Sequence, residues 1–410
     1  MEEGFDSRRI GVLDGVRVLA IGIVVWYHYW EATWLSPRIG SFDITNFPKF
    51  GYLMVEMMIL LSGFLLALPY AREAAYGERT GGVRRFYVNR FARIAPCYYL
   101  IVLVIFFAIA LPSGQYGGSG ADALKDFVPH IFFVHNLFPA SFISTHLDGA
   151  LWTLAVLMQL YLIFPFVIRW FQKHPVPTYL VMIGISFAST WIILGINGIT
   201  EDWPWLWMLS KNTFSYLAVY ANGMLGAFAY VQITKNRKRT PYGQILATIL
   251  AIACVPAYKM ICDVLGSGVQ EEVWLLENRY LLSVFFLVFV LAVIFSVKWF
   301  RFLFDNRVMH WLAGISFNMY MVHQYVAERL GILDIPHMTG ATPEECGAAW
   351  QWTRLGLCLA ISFPLAVALT YLVERPCARW IHKKLDGRMP AGVSQDKKKE
   401  KEDEKDKGES

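Results

Sequence analysis

The sequence predicts an all-α, polytopic membrane protein with about ten transmembrane helices in one bundle. Three observations predict it. Of its 410 residues, 56% are hydrophobic and only 17% charged, against about 45–50% and about 25% in a soluble globular chain. Apolar runs of spanning length recur as far as residue 373, and basic residues alternate between the connections that join them. The runs fall at about 10–30, 50–70, 91–112, 150–171, 176–197, 213–232, 243–264, 279–298, 308–328 and 354–373. The expected organisation is a membrane domain over 1–385 and a disordered, charged cytosolic tail over 386–410. The tail's last stretch, SQDKKKEKEDEKDKGES, has no apolar side chain.

The first span reads IGVLDGVRVLAIGIVVWYHYW and carries Asp14, Arg17 and His28. A spanning helix needs about 20 apolar residues, and each central charge costs about 2.5–3.5 kcal/mol on insertion scales. Arg17 and His28 are 11 residues apart, almost three turns, so they share a face roughly 16 Å apart along the axis. One stripe thus presents a cation towards one side of the membrane and an imidazole towards the other. Asp14, three residues before Arg17, is its natural partner. The plainer alternative is a structural Arg–Asp pair and a histidine that closes a helix contact. The head, with Glu2, Glu3 and Asp6 beside Arg8 and Arg9, does not read as a cleavable signal.

The second span, GYLMVEMMILLSGFLLALPY, holds Glu56 in its outer half and a Ser62-Gly63 pair further in. A buried glutamate needs a partner, and a contact with His28 on the neighbouring span is sterically reasonable; the alternative is an interface glutamate near the headgroups. A carboxylate against His28 would orient the imidazole and stabilise its charged form. The third span opens FYVNRFARIAPCYYL, with Arg90 and Arg93 on one face. They follow Arg72, Arg79, Arg84 and Arg85. The cluster reads either as membrane anchoring or as a phosphate site, because guanidinium forks bind phosphate bidentately.

The longest outer connection, about 113–149, begins with the Gly-rich PSGQYGGSG and continues as an expected interfacial helix, DALKDFVPHIFFVHNLF. His130 and His135 there are five apart, which does not suit a helical metal pair, and no metal is expected. The ninth span, HWLAGISFNMYMVHQY, is the most polar. Its Ser316, Tyr320 and His323 serve either close helix packing or the lining of a polar cavity. The cysteines Cys97, Cys254, Cys262, Cys346, Cys358 and Cys377 show no zinc or disulfide spacing and read as small core residues.

The connections after the even-numbered spans carry most of the arginine and lysine, which places both termini in the cytoplasm and the chain in the plasma or inner membrane. The basic residues form no single face of a soluble domain, so nucleic acid is not an expected partner.

These residues resemble the acyltransferase-3 family of integral membrane O-acyltransferases. Its hallmark, an Arg, ten residues and a His in the first span, is met by Arg17 and His28. The second span is similar to the family's D-x-F-F-x-x-S-G-F segment, with Glu56 for Asp and with Ser62, Gly63 and Phe64 kept. Arg90, Arg93 and Pro96 match R-x-x-R-x-x-P, and Trp152, Leu154, Tyr161 and Pro165 match W-S-L-x-x-E-x-x-F-Y-L-x-x-P, with Leu157 where many members have Glu. GISFNMYMVHQ and VERP complete a resemblance over about residues 9–383.

The resemblance implies transfer of an acyl group, usually acetyl, from cytosolic acyl-CoA to a hydroxyl of a cell-envelope or exported glycan. It implies His28, Arg17 and Glu56 in the catalytic set, and Arg90, Arg93 and Arg17 on the CoA. Ser62, Tyr161, Ser316, Tyr320 and His323 are candidates for substrate binding or cavity lining. Expected partners are acyl-CoA, a carbohydrate acceptor and the bilayer. Two other readings stay open: a transporter or exporter of a lipid-linked glycan using the buried polar groups as a path, though no paired inverted halves are evident, and acylation of a small-molecule sugar.

Overall fold

The computed structural model describes residues 10–40, 42–200, 203–236 and 240–386. All but the first residue of the expected tail, and the basic cluster at 237–239, lie outside them. The helices are α1 (Val12–Thr33), α2 (Gly51–Tyr76), α3 (Val83–Ala110), a short α4 (Gly120–Ile131), α5 (Gly149–Lys173), α6 (Pro175–Thr200) and a short α7 (Trp203–Ser210). They continue as α8 (Phe214–Asn236), α9 (Pro241–Gly266), α10 (Glu271–Phe295), α11 (Arg307–Ile332) and α12 (Gly347–Leu385). Among the described residues, nine of these are long and apolar enough to cross a membrane. The tenth, α11, has the length, at 26 residues, but carries the polar residues noted above. A two-residue antiparallel ladder, Arg38–Ile39 with Phe42–Asp43, lies between α1 and α2. The architecture is that of an all-α polytopic membrane protein.

Three helices start earlier than hydropathy suggests. Arg84, Arg85, Arg90 and Arg93 ride on α3, which begins at Val83 rather than near residue 91. Arg279 and Arg354, the first residues of the spans expected at 279–298 and 354–373, lie inside α10 and α12 and are buried. Their charges are met by groups distant in sequence. Arg279 Nε donates to Glu56 Oε1 at 3.0 Å, and Arg354 Nη2 to the Ala327 carbonyl at 2.9 Å. A sliding hydropathy window sees none of these partners.

Polar ties collect the helix ends on two faces. On one, His310 Nδ1 meets Asp14 Oδ2 at 2.9 Å, Lys235 donates to the Ala75 carbonyl at 2.7 Å, and Gln172 to the Tyr70 carbonyl at 3.1 Å. On the other, Asn46 donates to Asp263 at 3.1 Å and Tyr52 to Glu271 at 3.0 Å. The first bears the arginines of α3 and is called the basic face below.

Helices α2 and α8 cross with their backbones in near contact, because glycines face each other. A Cβ on Gly63 would stand 2.4 Å from the Tyr220 carbonyl oxygen, and one on Gly223 would stand 2.1 Å from that of Leu60. Small residues are the usual means of close approach where no hydrophobic force separates helix from lipid. This crossing anchors the Ser62 side of the bundle.

On the opposite face, α4 is capped by Ser119, whose hydroxyl accepts from the Asp122 amide at 3.3 Å. It lies with Leu124 and Val128 exposed and Asp126 and His130 buried, an inverted amphipathicity suited to lipid contact. Asp126 gathers the loop, accepting from Tyr116 at 2.8 Å, Thr145 at 2.8 Å and the His146 amide at 2.9 Å. Beneath it the rings of His130 and His135 stack at 4.0 Å, 7° from parallel, and burial pushes both imidazoles below their ordinary range. The six cysteines are free, four of them buried, as expected of core residues.

Gly223→Ala is expected to cost about 1–3 kcal/mol through overpacking, read as a lower thermal midpoint in detergent. The histidine pair binds fewer protons folded than unfolded, so its stability is complete above about pH 6.5 and is lost as pH falls below it. The thermal midpoint should therefore drop between pH 7 and pH 5, and the drop should shrink in His130→Gln/His135→Gln.

Candidate active site

Four neighbouring spaces, each sharing lining residues with the next, lie along the bundle. At the basic face a vestibule of about 330 Å³ is lined by Tyr70, Thr80, Arg85, Asn89 and Arg90. Arg90 also lines the next space, a cavity of about 280 Å³ between α1, α2, α3 and α5, with Arg17, Arg93, Ser62, Tyr161 and Tyr320 on its wall. Tyr320 is in turn shared with a cavity of about 520 Å³ towards the opposite face, where His28, Glu31, Glu56, Trp152 and Lys211 are found. His28, Glu31 and Gln324 separate that cavity from a side chamber of about 430 Å³. Each space approaches or exceeds the lower end of the range for small-ligand sites, about 300–1,000 Å³.

The α1 stripe is arranged as its spacing predicts, with Arg17 in the first cavity and His28 in the second. Arg17 Nη2 donates to Asp14 Oδ1 at 3.2 Å and to the Ala313 carbonyl at 3.1 Å, the expected pair plus a backbone tie to α11. Asp14 is also held by His310, whose Nε2 lies 2.9 Å from Asp305 Oδ1. Arg90 Nε is buried with no hydrogen-bond partner in the protein, and the residue lines both of the spaces nearest the basic face. Glu374 balances this side. It accepts from Asn318 at 2.6 Å and sits in the field of Arg93, Arg375 and Arg17.

Glu56 reaches a different partner from the one anticipated. Its Oε1 accepts from Arg279 rather than from His28, although both line the same cavity. Arg279 also donates to the Ser210 carbonyl at 3.1 Å and to Tyr216 at 3.3 Å, and its guanidinium lies 4.2 Å from the Tyr216 ring centroid. The carboxylate on His28 is Glu31, one turn further along α1. His28 Nδ1 donates to Glu31 Oε2 at 2.8 Å, and Tyr27 holds the other oxygen at 2.6 Å. With Nδ1 engaged by a carboxylate, Nε2 is the nitrogen left with its lone pair for a substrate. The i,i+3 spacing of His28 and Glu31 was the signal available in the sequence.

Ser62 donates to Tyr161 at 3.1 Å, and both line the first cavity. Leu157 lines it as well, so its wall is apolar at that position. Tyr320 accepts from Thr153 at 2.8 Å and stands between the two larger cavities. Two residues of α11 are placed elsewhere than expected. Ser316 returns its hydroxyl to the Ala313 carbonyl of its own helix at 3.1 Å. His323 is fully buried behind His28, ring centroids 5.0 Å apart, with Nδ1 donating to the Tyr320 carbonyl at 2.7 Å. It backs the site rather than lining it.

Residues 10–372 match the family model described as an acyltransferase domain, Acyl_transf_3. The chain belongs to the acyltransferase-3 family. Similar relatives include the peptidoglycan O-acetyltransferase OatA of Listeria monocytogenes, 23% identical over 334 residues, covering 78% of this chain and 49% of that protein. Another is the O-acetyltransferase OatA of Staphylococcus aureus, 22% identical over 306 residues, covering 72% and 46%. The chain therefore spans about half the length of the curated relatives it matches. No solved structure matches it significantly. Among the described residues no group of His, Cys, Asp or Glu is disposed to hold a metal ion.

Removing one partner of the buried Glu56–Arg279 pair leaves an uncompensated charge, at a cost of about 3–5 kcal/mol. Glu56→Ala should therefore lower the thermal midpoint markedly, and Glu56→Met/Arg279→Met together should recover most of the loss.

Proposed function

We propose that this acyltransferase-3 protein is a multi-pass membrane O-acyltransferase that moves an acyl group, acetyl in the first instance, from acyl-CoA to a hydroxyl of a cell-envelope glycan. The observation that carries the reading is the chain of spaces from the arginines of α3 to His28, meeting at Tyr320. By the positive-inside tendency the basic face is cytosolic, and both termini with it. The donor then enters where Arg85, Arg90 and Arg93 stand, and the acceptor arrives at the other face.

The residues suit a phosphorylated donor. Arg90 has a buried donor without a protein partner, and guanidinium groups are the strongest side-chain anchors for phosphate. Arg17 stands further along the same path, above the largely apolar wall that includes Ile21, Leu61 and Leu157, suited to a pantetheine arm. About three helical turns, roughly 16 Å, separate it from His28, a length that an extended arm covers. In the reaction, His28 Nε2 takes the proton of the acceptor hydroxyl while its oxygen attacks the thioester carbonyl. The C–S bond breaks, and the thiolate of CoA leaves and is protonated as the ester forms. Glu31 stabilises the imidazolium through Nδ1, the usual support for a histidine base. The relatives described as O-acetyltransferases support acetyl as the group and, in Listeria, peptidoglycan as an example of the acceptor class.

Purified protein in nanodiscs with acetyl-CoA should release free thiol in the presence of acceptor. His28→Ala is expected to lower turnover by about 10²–10⁴-fold, the usual worth of a general base, with donor binding retained. Arg90→Ala/Arg93→Ala should instead weaken donor binding at least tenfold. Unchanged transfer in His28→Ala would overturn the mechanism.

A further inference from the structure

His28 does not sit at the end of a pocket. It stands, with Glu31 and Gln324, on the wall between two spaces, the cavity of about 520 Å³ and the side chamber of about 430 Å³. Each is within the size range of a ligand site by itself. Gln324 is fixed as part of this sill. Its amide donates to Glu328 at 2.9 Å and lies against Gly149, where a Cβ would come within 2.9 Å of its Nε2. A reacting hydroxyl at His28 Nε2 therefore has room for further substrate on both sides.

The walls also have a definite chemistry. Tyr27, Tyr52, Trp152 and Trp207 line the larger cavity, and flat aromatic faces suit the apolar faces of pyranose rings. The Lys211 ammonium is spoken for by Glu272 at 3.3 Å. Arg354 in the side chamber is turned to the Ala327 and Ile335 carbonyls. Across the linings of the two spaces carboxylates outnumber lysine and arginine, with Glu31, Glu56, Glu271, Glu272, Glu328 and Asp334 against Lys211 and Arg354. The amide of Met338 and the side chain of His337 hold the Asp334 carboxyl below its usual range, so it is charged at neutral pH. Glu56 adds to the acidic lining. Its Oε2 is buried without a hydrogen-bond partner while the residue itself lines the larger cavity.

We propose that the acceptor is an extended glycan, neutral or amino-bearing, that crosses α1 at His28 with at least one sugar unit in each chamber; this rests on the acyl-transfer reading above. A lone sugar fills one side only. A chain bearing carboxylate or phosphate on every unit meets like charge on both sides. The acylated hydroxyl is then an internal one.

The test uses the full-length protein in nanodiscs with acetyl-CoA and three acceptor series of one to five units. They are β-1,4-linked N-acetylglucosamine oligomers, their de-N-acetylated counterparts, and oligogalacturonides. Acetyl gain is read by mass spectrometry and binding by tryptophan fluorescence. For the first two series kcat/KM should rise at least tenfold from one unit to three and then level off, with the anionic series at least tenfold below them at equal length. Ala32→Trp, which narrows the side chamber, should bring the trimer towards the monomer in both binding and transfer. Glu271→Gln/Glu328→Gln should reduce the penalty on the anionic series. Equal kcat/KM for monomer and trimer, or equal use of the anionic series, overturns the proposal while leaving acyl transfer standing. Tight, length-dependent binding of the neutral or amino-bearing oligomers with no thiol release overturns the acyl-transfer reading instead.

Discussion

A charge placed inside an apolar bundle persists only when it is paired, hydrogen-bonded or left in a wetted space, and this constraint organises the chain's polar residues. One group ties helix to helix. Glu56 and Arg279 lock α2 to α10, Asp14 and His310 lock α1 to α11, and Lys211 is drawn in by Glu272. The other group, Arg17, Arg90, Arg93, His28 and Glu31, faces the chain of spaces. The first group holds the helices at fixed distances so that the second can share a path.

That path has a narrow point. The cavity that holds Arg17 and the one that holds His28 have Tyr320 in common, and Tyr320 is held by Thr153 and by the start of α5. A membrane enzyme that joins a donor from one face to an acceptor from the other has to bring two reactive atoms together without opening a leak. On the proposed reading, a tyrosine fixed between two separately lined spaces would keep the bulk of each substrate on its own side. The apolar Leu157 on the donor-side wall is consistent with this division, because a slender, weakly polar arm requires no carboxylate there.

The all-α polytopic class and the Arg17–His28 stripe were legible in the sequence, as were the nine helices that, among the described residues, are long and apolar enough to cross a membrane, because each rests on length, hydropathy or helical period. The exact starts of α3, α10 and α12 were not. Hydropathy treats an arginine as a loop signal, and Arg279 and Arg354 carry partners 223 and 27 residues away that cancel that signal. The same blindness misassigned the partner of Glu56. Proximity of His28 on the adjacent span made it the natural choice, while Arg279 offered a full charge and a second set of hydrogen bonds that a neutral imidazole does not.

What the sequence determined by itself was therefore everything local to one helix: which segments cross the bilayer, which residues share a stripe, and the family to which those motifs belong. Only the tertiary structure decided what each stripe faces. It set Glu31 rather than Glu56 on the imidazole, put His323 behind the site instead of in it, and placed His28 between two chambers instead of at the end of one. The reason is physical. Helical periodicity fixes angles around one axis, whereas the partner of a buried polar group is selected among all helices at once by which pairing leaves the fewest charges unmet.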